Sequence, residues 1–149
     1  MSTSPALEEI GQRYVPVLPD VEGTLAAGFW EGADEGELRL PRCTDCGRFH
    51  WYPLHRCPHC QSPRWEWTAV AGRARIFTWT VLRRPLHKAF QDRVGEIVAI
   101  LELDDASGVR IVANVFGADD LEVGMPVEVA FAPTPDGRAV PIFVPTSGS

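Results

Sequence analysis

Long apolar runs are missing from this sequence of 149 residues. No stretch approaches the ~20 residues that a helix needs to span a bilayer. Met1 to Ile10 also lacks the basic start and apolar core of a secretory signal peptide. Both absences predict a cytoplasmic chain with no membrane span. Positive charge is scarce, with 14 Lys+Arg against 20 Asp+Glu and a net charge of −6. Nucleic-acid-binding domains usually carry a basic excess, so this balance argues against nucleic acid as the partner. No serine nucleophile motif is present. Asp104 and Asp105 are adjacent and would point to opposite faces of an extended segment, which makes a poor acid–base pair. His87, the only histidine outside the cysteine-rich segment, reads as a solvated loop residue. These absences predict no turnover by the chain alone. There is no low-complexity tract and no repeat beyond two short cysteine knuckles.

Those knuckles hold the four cysteines: Cys43-Thr44-Asp45-Cys46 and Cys57-Pro58-His59-Cys60, with ten residues between the pairs. Each C-x-x-C turn sets two sulfurs on one side, and two facing turns complete a tetrahedral shell for one zinc ion. Gly47 follows the first knuckle and supplies a residue free to take positive φ. Two disulfides are the other reading, but in a reducing compartment they rarely persist. A redox C-x-x-C usually comes singly and opens a helix. Four thiolates leave no open coordination position, so the expected Zn2+ is structural. His50, His55 and His59 lie near enough in sequence to replace a ligand, although four cysteines leave no vacancy for one.

Thirteen prolines and thirteen glycines punctuate the chain and predict a β-rich fold with many turns. Before the knuckles, residues 1–37 read as helical. Leu25, Phe29 and Ala33 recur every four residues, Thr24 is the expected N-cap, and Gly36 is the expected stop. Gly28 and Gly32 would let another backbone approach. Leu38 and Leu40 alternate with polar neighbours as a strand leading into the first knuckle. A ribbon this small buries little apolar surface, so metal supplies much of its folding free energy, and its aromatic rungs need cover from elsewhere. Strand-like segments then follow at Ile76–Leu82, Gly95–Leu103, Val109–Phe116, Val127–Phe131 and Val140–Val144. Their turns are Asp104 to Gly108, Gly124-Met125-Pro126 and Asp136-Gly137. Five strands in about 75 residues match a small five-stranded OB barrel better than an immunoglobulin sandwich, which has more strands.

Charge is unevenly spread. Arg39 to Arg93 holds eleven Lys+Arg against three Asp+Glu, and the remainder holds three against seventeen. A basic centre in an acidic chain is a candidate anion-binding face if folding keeps it together.

In order and spacing the sequence resembles the thiolase-associated zinc-ribbon and OB-fold family, a domain of unknown function that accompanies acyl-CoA-processing enzymes. The resemblance runs from about Gly23 to Pro145. It rests on Phe29-Trp30, Gly36-Glu37-Leu38, Arg42-Cys43-Thr44-Asp45-Cys46-Gly47, and Pro53 ahead of Cys57-Pro58-His59-Cys60. It continues with Gly72, Thr78-Trp79-Thr80-Val81, Arg83, Val98 to Leu103, Gly124-Met125-Pro126-Val127 and Pro141-Ile142-Phe143. Two departures fall at the mouth of the barrel. Ala74 stands where the family often has a second glycine, and Gly95-Glu96 stands where a Pro-Tyr pair often precedes the second strand.

The resemblance implies a mainly β chain: an N-terminal helical arm (1–37), a rubredoxin-like zinc ribbon (38–68), an OB barrel (69–145) and a disordered tail (146–149). It also implies a non-catalytic accessory subunit. Such a subunit would form a hetero-oligomer with a thiolase-like or hydratase partner, and a retro-aldolase of steroid side-chain breakdown is one such setting. Phe29, Trp30, Trp51 and Tyr52 would dock the partner. Acyl-CoA would be a ligand or shared substrate, with Arg83, Arg84, Lys88 and Arg93 for its phosphates and Trp79 and Phe90 for stacking. Arginine suits phosphate because its planar fork makes two parallel hydrogen bonds. A single-stranded nucleic-acid module is the alternative, since OB barrels commonly stack bases on aromatic faces.

Overall fold

The computed structural model describes residues 6–14 and 18–146. Two short helices lead: α1 (Leu7–Gln12) and α2 (Ala27–Asp34). Two strands, β1 (Leu38–Cys43) and β2 (Trp65–Val70), then pair antiparallel from Leu38↔Val70 to Cys43↔Trp65. The cysteine knuckles lie between them. Five strands complete the fold: β3 (Arg73–Val81), β4 (Ile97–Leu103), β5 (Arg110–Val115), β6 (Pro126–Pro133) and β7 (Ala139–Pro145). They close into a barrel in the order β3-β4-β5-β7-β6. The expected class, short helices followed by a ribbon and a five-stranded barrel, is what the chain adopts.

Local sequence explains most boundaries. Gly36 ends α2 as expected: its φ is 76°, its N–H donates to Ala33 O, and the Glu37 N–H reaches back to Gly32 O. Those two bonds form a Schellman cap, which needs a left-handed residue at Gly36. Thr24 does not cap the helix. Its hydroxyl donates to Val21 O at 2.9 Å, and α2 begins three residues later with no side-chain cap. Leu25 therefore precedes the helix and stays exposed, while Phe29 and Ala33 are buried. At Gly28 and Gly32 the close neighbours include side chains. A Cβ on Gly28 would lie 2.3 Å from Trp67 Nε1, and one on Gly32 would lie 2.7 Å from Arg39 Cγ.

The N-terminal segment is not a free arm. Ile10 is buried with Phe116, Ala132, Val140 and Ile142 of the barrel. Gly11 permits this contact, because a Cβ there would sit 1.6 Å from Pro133 O. At the other end, Thr146 still donates its N–H to Pro126 O at 3.3 Å, so it belongs with β6 rather than with a tail. Residues 147–149 of the expected tail lie outside the described residues.

Two irregularities shape the barrel wall. The β3–β4 register shifts between Ile76 and Thr78, which makes Phe77 an extra residue. The bulge reverses the inward phase, so that Ile76 before it and Trp79 after it both pack on the core. At the seam, β5 and β7 pair in parallel at Val115↔Phe143. Pro141, two residues upstream in β7, has no N–H with which to extend that ladder. The seam therefore opens above Pro141. One core runs through both parts of the molecule: Phe29 of α2 and Leu38 and Leu40 of β1 cluster with Ile76, Leu101, Val127 and Phe143. The ribbon's aromatic rungs Phe49, Trp51 and Trp67 gain their cover from this same cluster.

Candidate functional site

The four cysteines converge. All their Sγ atoms lie within 4.8 Å of one another, with Cys43–Cys60 at 3.5 Å and Cys46–Cys57 at 3.7 Å. Zinc–thiolate bonds of about 2.3 Å in a tetrahedron give sulfur–sulfur edges of roughly 3.8 Å, so the donor set fits zinc. Backbone N–H groups point at the sulfurs: Cys46 N to Cys43 Sγ and His59 N to Cys57 Sγ, each 3.4 Å. The Cys46 N–H is the largest influence that draws the Cys43 thiol down to about 6. Cys60 goes the other way. The Ser62 N–H lowers its pKa, but burial and the three neighbouring sulfurs outweigh that and push it up to about 12. Four sulfurs this close cannot all ionise unaided, and a divalent cation supplies the missing charge. The cluster does not include His50, His55 or His59. His50 is buried, and burial first, then His59, holds its pKa below the ordinary histidine value. Cys43 and Cys57 are buried, and no disulfide joins any pair.

The four residues expected to dock a partner come together. Phe29 meets Trp30 edge-on at 5.0 Å and Trp51 at 4.8 Å, and Trp51 meets Tyr52 at 5.0 Å. Their roles differ. Phe29 is buried in the chain's own core, Trp30 and Trp51 are half-buried, and Tyr52 is 59% exposed. The cluster walls a cleft of about 270 Å³ whose opposite side is the open seam, at Ile111–Asn114 of β5 and Pro141 of β7. The seam that Pro141 leaves unpaired is thus the place where the aromatic residues gather.

The cations expected at the coenzyme phosphates do not behave alike. Arg83, Arg84 and Lys88 are exposed, and none makes an ion pair among the described residues. They lie in the loop after β3, closed at its base by Leu82 N–H to Glu96 O and Gly95 N–H to Leu82 O. Arg93 is committed inside the protein. Its guanidinium donates to Glu96 Oε2 at 2.8 Å and to Asn114 Oδ1 at 3.3 Å, and lies over the rings of Tyr14 and Phe90. Phe90 is therefore half-buried beneath Arg93, and Trp79 packs on the barrel core. His87 accepts the Ala89 N–H on Nδ1 and starts the 3-10 turn Lys88–Arg93.

Glu96 was legible only as a departure from the family pattern. Its carboxylate, 3% exposed, also takes Arg13 Nη1 at 3.3 Å. Tyr14 donates its hydroxyl to Asn114 Oδ1 at 2.7 Å, and burial is the chief reason its pKa rises to about 12. These groups fasten the first helix to the barrel from 83 and 100 residues away. No local sequence pattern could have signalled such pairs.

A four-sulfur ribbon joined to a closed barrel of this strand order defines a zinc-ribbon and OB-fold protein. Residues 30–66 match the rubredoxin-like zinc ribbon domain of ChsH2, and residues 67–132 match the ChsH2 C-terminal OB-fold domain. The chain is similar to a solved structure titled Ltp2-ChsH2(DUF35) aldolase, with TM-score 0.72 and 30% identity over 87% of this chain and 98% of that one. This chain belongs to the ChsH2 zinc-ribbon and OB-fold family, also called DUF35. A DUF35 protein of unknown function from Sulfolobus solfataricus, at 15% identity and TM-score 0.54, shares the fold over 72% of this chain and 78% of its own.

Among curated relatives, the 3-oxo-4,17-pregnadiene-20-carboxyl-CoA hydratase alpha subunit of Mycobacterium tuberculosis is 31% identical over 74% of this chain and 34% of its own length. The "probable enoyl-CoA hydratase alpha subunit" of Thermomonospora curvata is 33% identical over 78% of this chain and 36% of its own. A DUF35 scaffold protein of Methanocaldococcus jannaschii is 28% identical over 60% of this chain and 64% of its own. The chain thus spans about a third of the length of the two hydratase subunits.

Proposed function

We propose that this chain is a non-catalytic accessory subunit of a thiolase-like acyl-CoA enzyme, in the setting of retro-aldol cleavage of a steroid side chain. The observation that carries this reading is the aromatic cluster at the open seam. Half-buried Trp30 and Trp51 and exposed Tyr52 form a contiguous face, and large aromatics of this kind anchor the centres of protein interfaces. The similarity to an aldolase complex containing ChsH2 supports a protein as the occupant. The M. tuberculosis relative, named for a steroid-derived acyl-CoA, supports the substrate class.

In this reading Phe29 supports the face from below, as part of the core, and Trp30, Trp51 and Tyr52 make the contact. Zinc keeps the ribbon beside that face in shape. The exposed cations Arg83, Arg84 and Lys88 attract the phosphates of the shared acyl-CoA. Arg93 shapes the loop through Glu96 instead of binding phosphate. Bond cleavage belongs to the partner.

Co-purification with a thiolase-like partner tests the reading. Tyr52→Ala combined with Trp30→Ala should weaken the complex about 30-fold or more, the scale of interface anchors. Arg83→Ala with Arg84→Ala should raise the KM for the acyl-CoA and leave the complex intact. A partner that binds the aromatic double variant unchanged, or that is fully active without this chain, would sink the proposal.

A further inference from the structure

The two knuckles are tied to each other by more than their sulfurs. Asp45 lies between Cys43 and Cys46, and Ser62 and Arg64 follow the second knuckle. The Ser62 hydroxyl donates to Asp45 Oδ2. Arg64 grips the same carboxylate with both arms of its fork, Nη2 to Oδ2 at 2.6 Å and Nε to Oδ1 at 3.3 Å. The backbone repeats the crossing, because the Thr44 N–H donates to Arg64 O at 3.1 Å. Ser62 reaches into the second knuckle as well, where its carbonyl accepts the Cys57 N–H at 2.8 Å. Its hydroxyl oxygen also accepts the Arg64 N–H at 3.1 Å. Ser62 is buried.

Other polar contacts near the cysteines do less. Arg42 and Arg56 each donate to a carbonyl within their own knuckle segment, Gly47 O and Gln61 O, both at 3.0 Å. Arg48 to His59 at 3.5 Å and His59 to Phe49 O at 3.4 Å cross between the segments, but they are long and exposed.

We propose that Asp45, Ser62 and Arg64 form a clamp that holds the two cysteine pairs at metal-binding separation and slows the loss of zinc. A zinc ion with four thiolates carries a net charge of −2. The Arg64 guanidinium balances the Asp45 carboxylate, which lies between two cysteines of that cluster, so the clamp adds no further negative charge beside it. Asp45 fixes where the guanidinium sits. Because the fork is bidentate, the carboxylate and the guanidinium act as one unit rather than as two independent contacts. The three are positioning residues that act through the cysteines.

The clamp rests on the zinc reading of the cysteines, and the two fail differently. Zinc content of the purified full chain tests the reading. Zinc transfer from the loaded chain to the chelator 4-(2-pyridylazo)resorcinol tests the clamp. Asp45→Ala and Arg64→Ala should each speed zinc loss about 10- to 100-fold, the usual effect of removing a group that supports a metal ligand. The double variant should lose zinc no faster than the faster single variant. Ser62→Ala should have a smaller effect. Cobalt-loaded variants should keep the absorption of a tetrahedral tetrathiolate, which separates faster release from a collapsed site. Arg64 is largely exposed, so its variants fold even if Asp45→Ala does not, and Arg64→Lys should give an intermediate rate because it keeps charge but loses the fork. Unchanged release rates, or effects of Asp45→Ala and Arg64→Ala that multiply in the double variant, would overturn the clamp.

Discussion

From Thr44 to Arg64 the buried residues are His50, Cys57 and Ser62, and none is a large aliphatic side chain. The barrel interior, by contrast, buries Ile76, Leu101, Ile111, Val127 and Phe143. The barrel is stabilised by removing apolar area from water, at about 25 cal/mol per Å². The knuckle end has no such source; its four converging sulfurs fit a zinc ion, and a few charged crossings join its two halves. The border between the two regimes lies inside β1. Leu38 and Leu40 join the barrel core, and Cys43, three residues on, joins the sulfur cluster. The ribbon is therefore one hairpin with an apolar base and a four-cysteine tip. Metal should govern the tip without governing the barrel.

The strongest break in that comparison is Cys57→Ser. Structural zinc contributes on the order of 10–16 kcal/mol to the folding of isolated zinc-finger peptides. The variant should lose stoichiometric zinc, unfold the knuckle end and fail to form the partner complex, while the barrel strands keep their amide-exchange protection. Elemental analysis, amide exchange and co-purification read these outcomes. A barrel that melts together with the tip would merge the two regimes into one.

Phe143→Ala is the converse. This side chain is fully buried at the β5–β7 seam, so the loss should be about 3–5 kcal/mol in urea unfolding. Zinc content at native conditions should be unchanged.

A third test addresses the junction of α1 with the barrel. The folded pKa of Tyr14 is raised, from 10.0 to about 12, chiefly by burial. A raised pKa gives stability that is fully present below the unfolded value and lost as pH rises through the folded one. Stability should therefore fall by roughly 2–3 kcal/mol between pH 10 and pH 12. Tyr14→Phe should remove that part of the pH dependence. Equal pH dependence in the two proteins, measured by denaturant midpoints, would exclude this role.

The barrel strands and the cysteine cluster were legible because their signals are local. β-branched and aromatic segments between glycine and proline turns located all five barrel strands, and C-x-x-C spacing picked out the four cysteines that converge. Gly36 ended its helix as expected because a left-handed cap is a property of one residue. Other features were not legible. Thr24 has the right chemistry for an N-cap, but its hydroxyl found Val21 O first. Arg93 looked like a free cation because its partners Glu96 and Asn114 meet only when β4, β5 and the loop pack together. The cleft beside the aromatic cluster depends on Pro141 stopping a ladder with a strand nearly 30 residues away in sequence.

By itself, then, the sequence determined the class of each element and which four cysteines converge, because periodicity, turn chemistry and C-x-x-C spacing act over a few residues. Tertiary structure alone decided which charges are spent inside the protein, which aromatic residues are core and which are surface, and where the barrel opens. Those outcomes depend on contacts between distant segments, whose energies exist only once the chain has closed on itself.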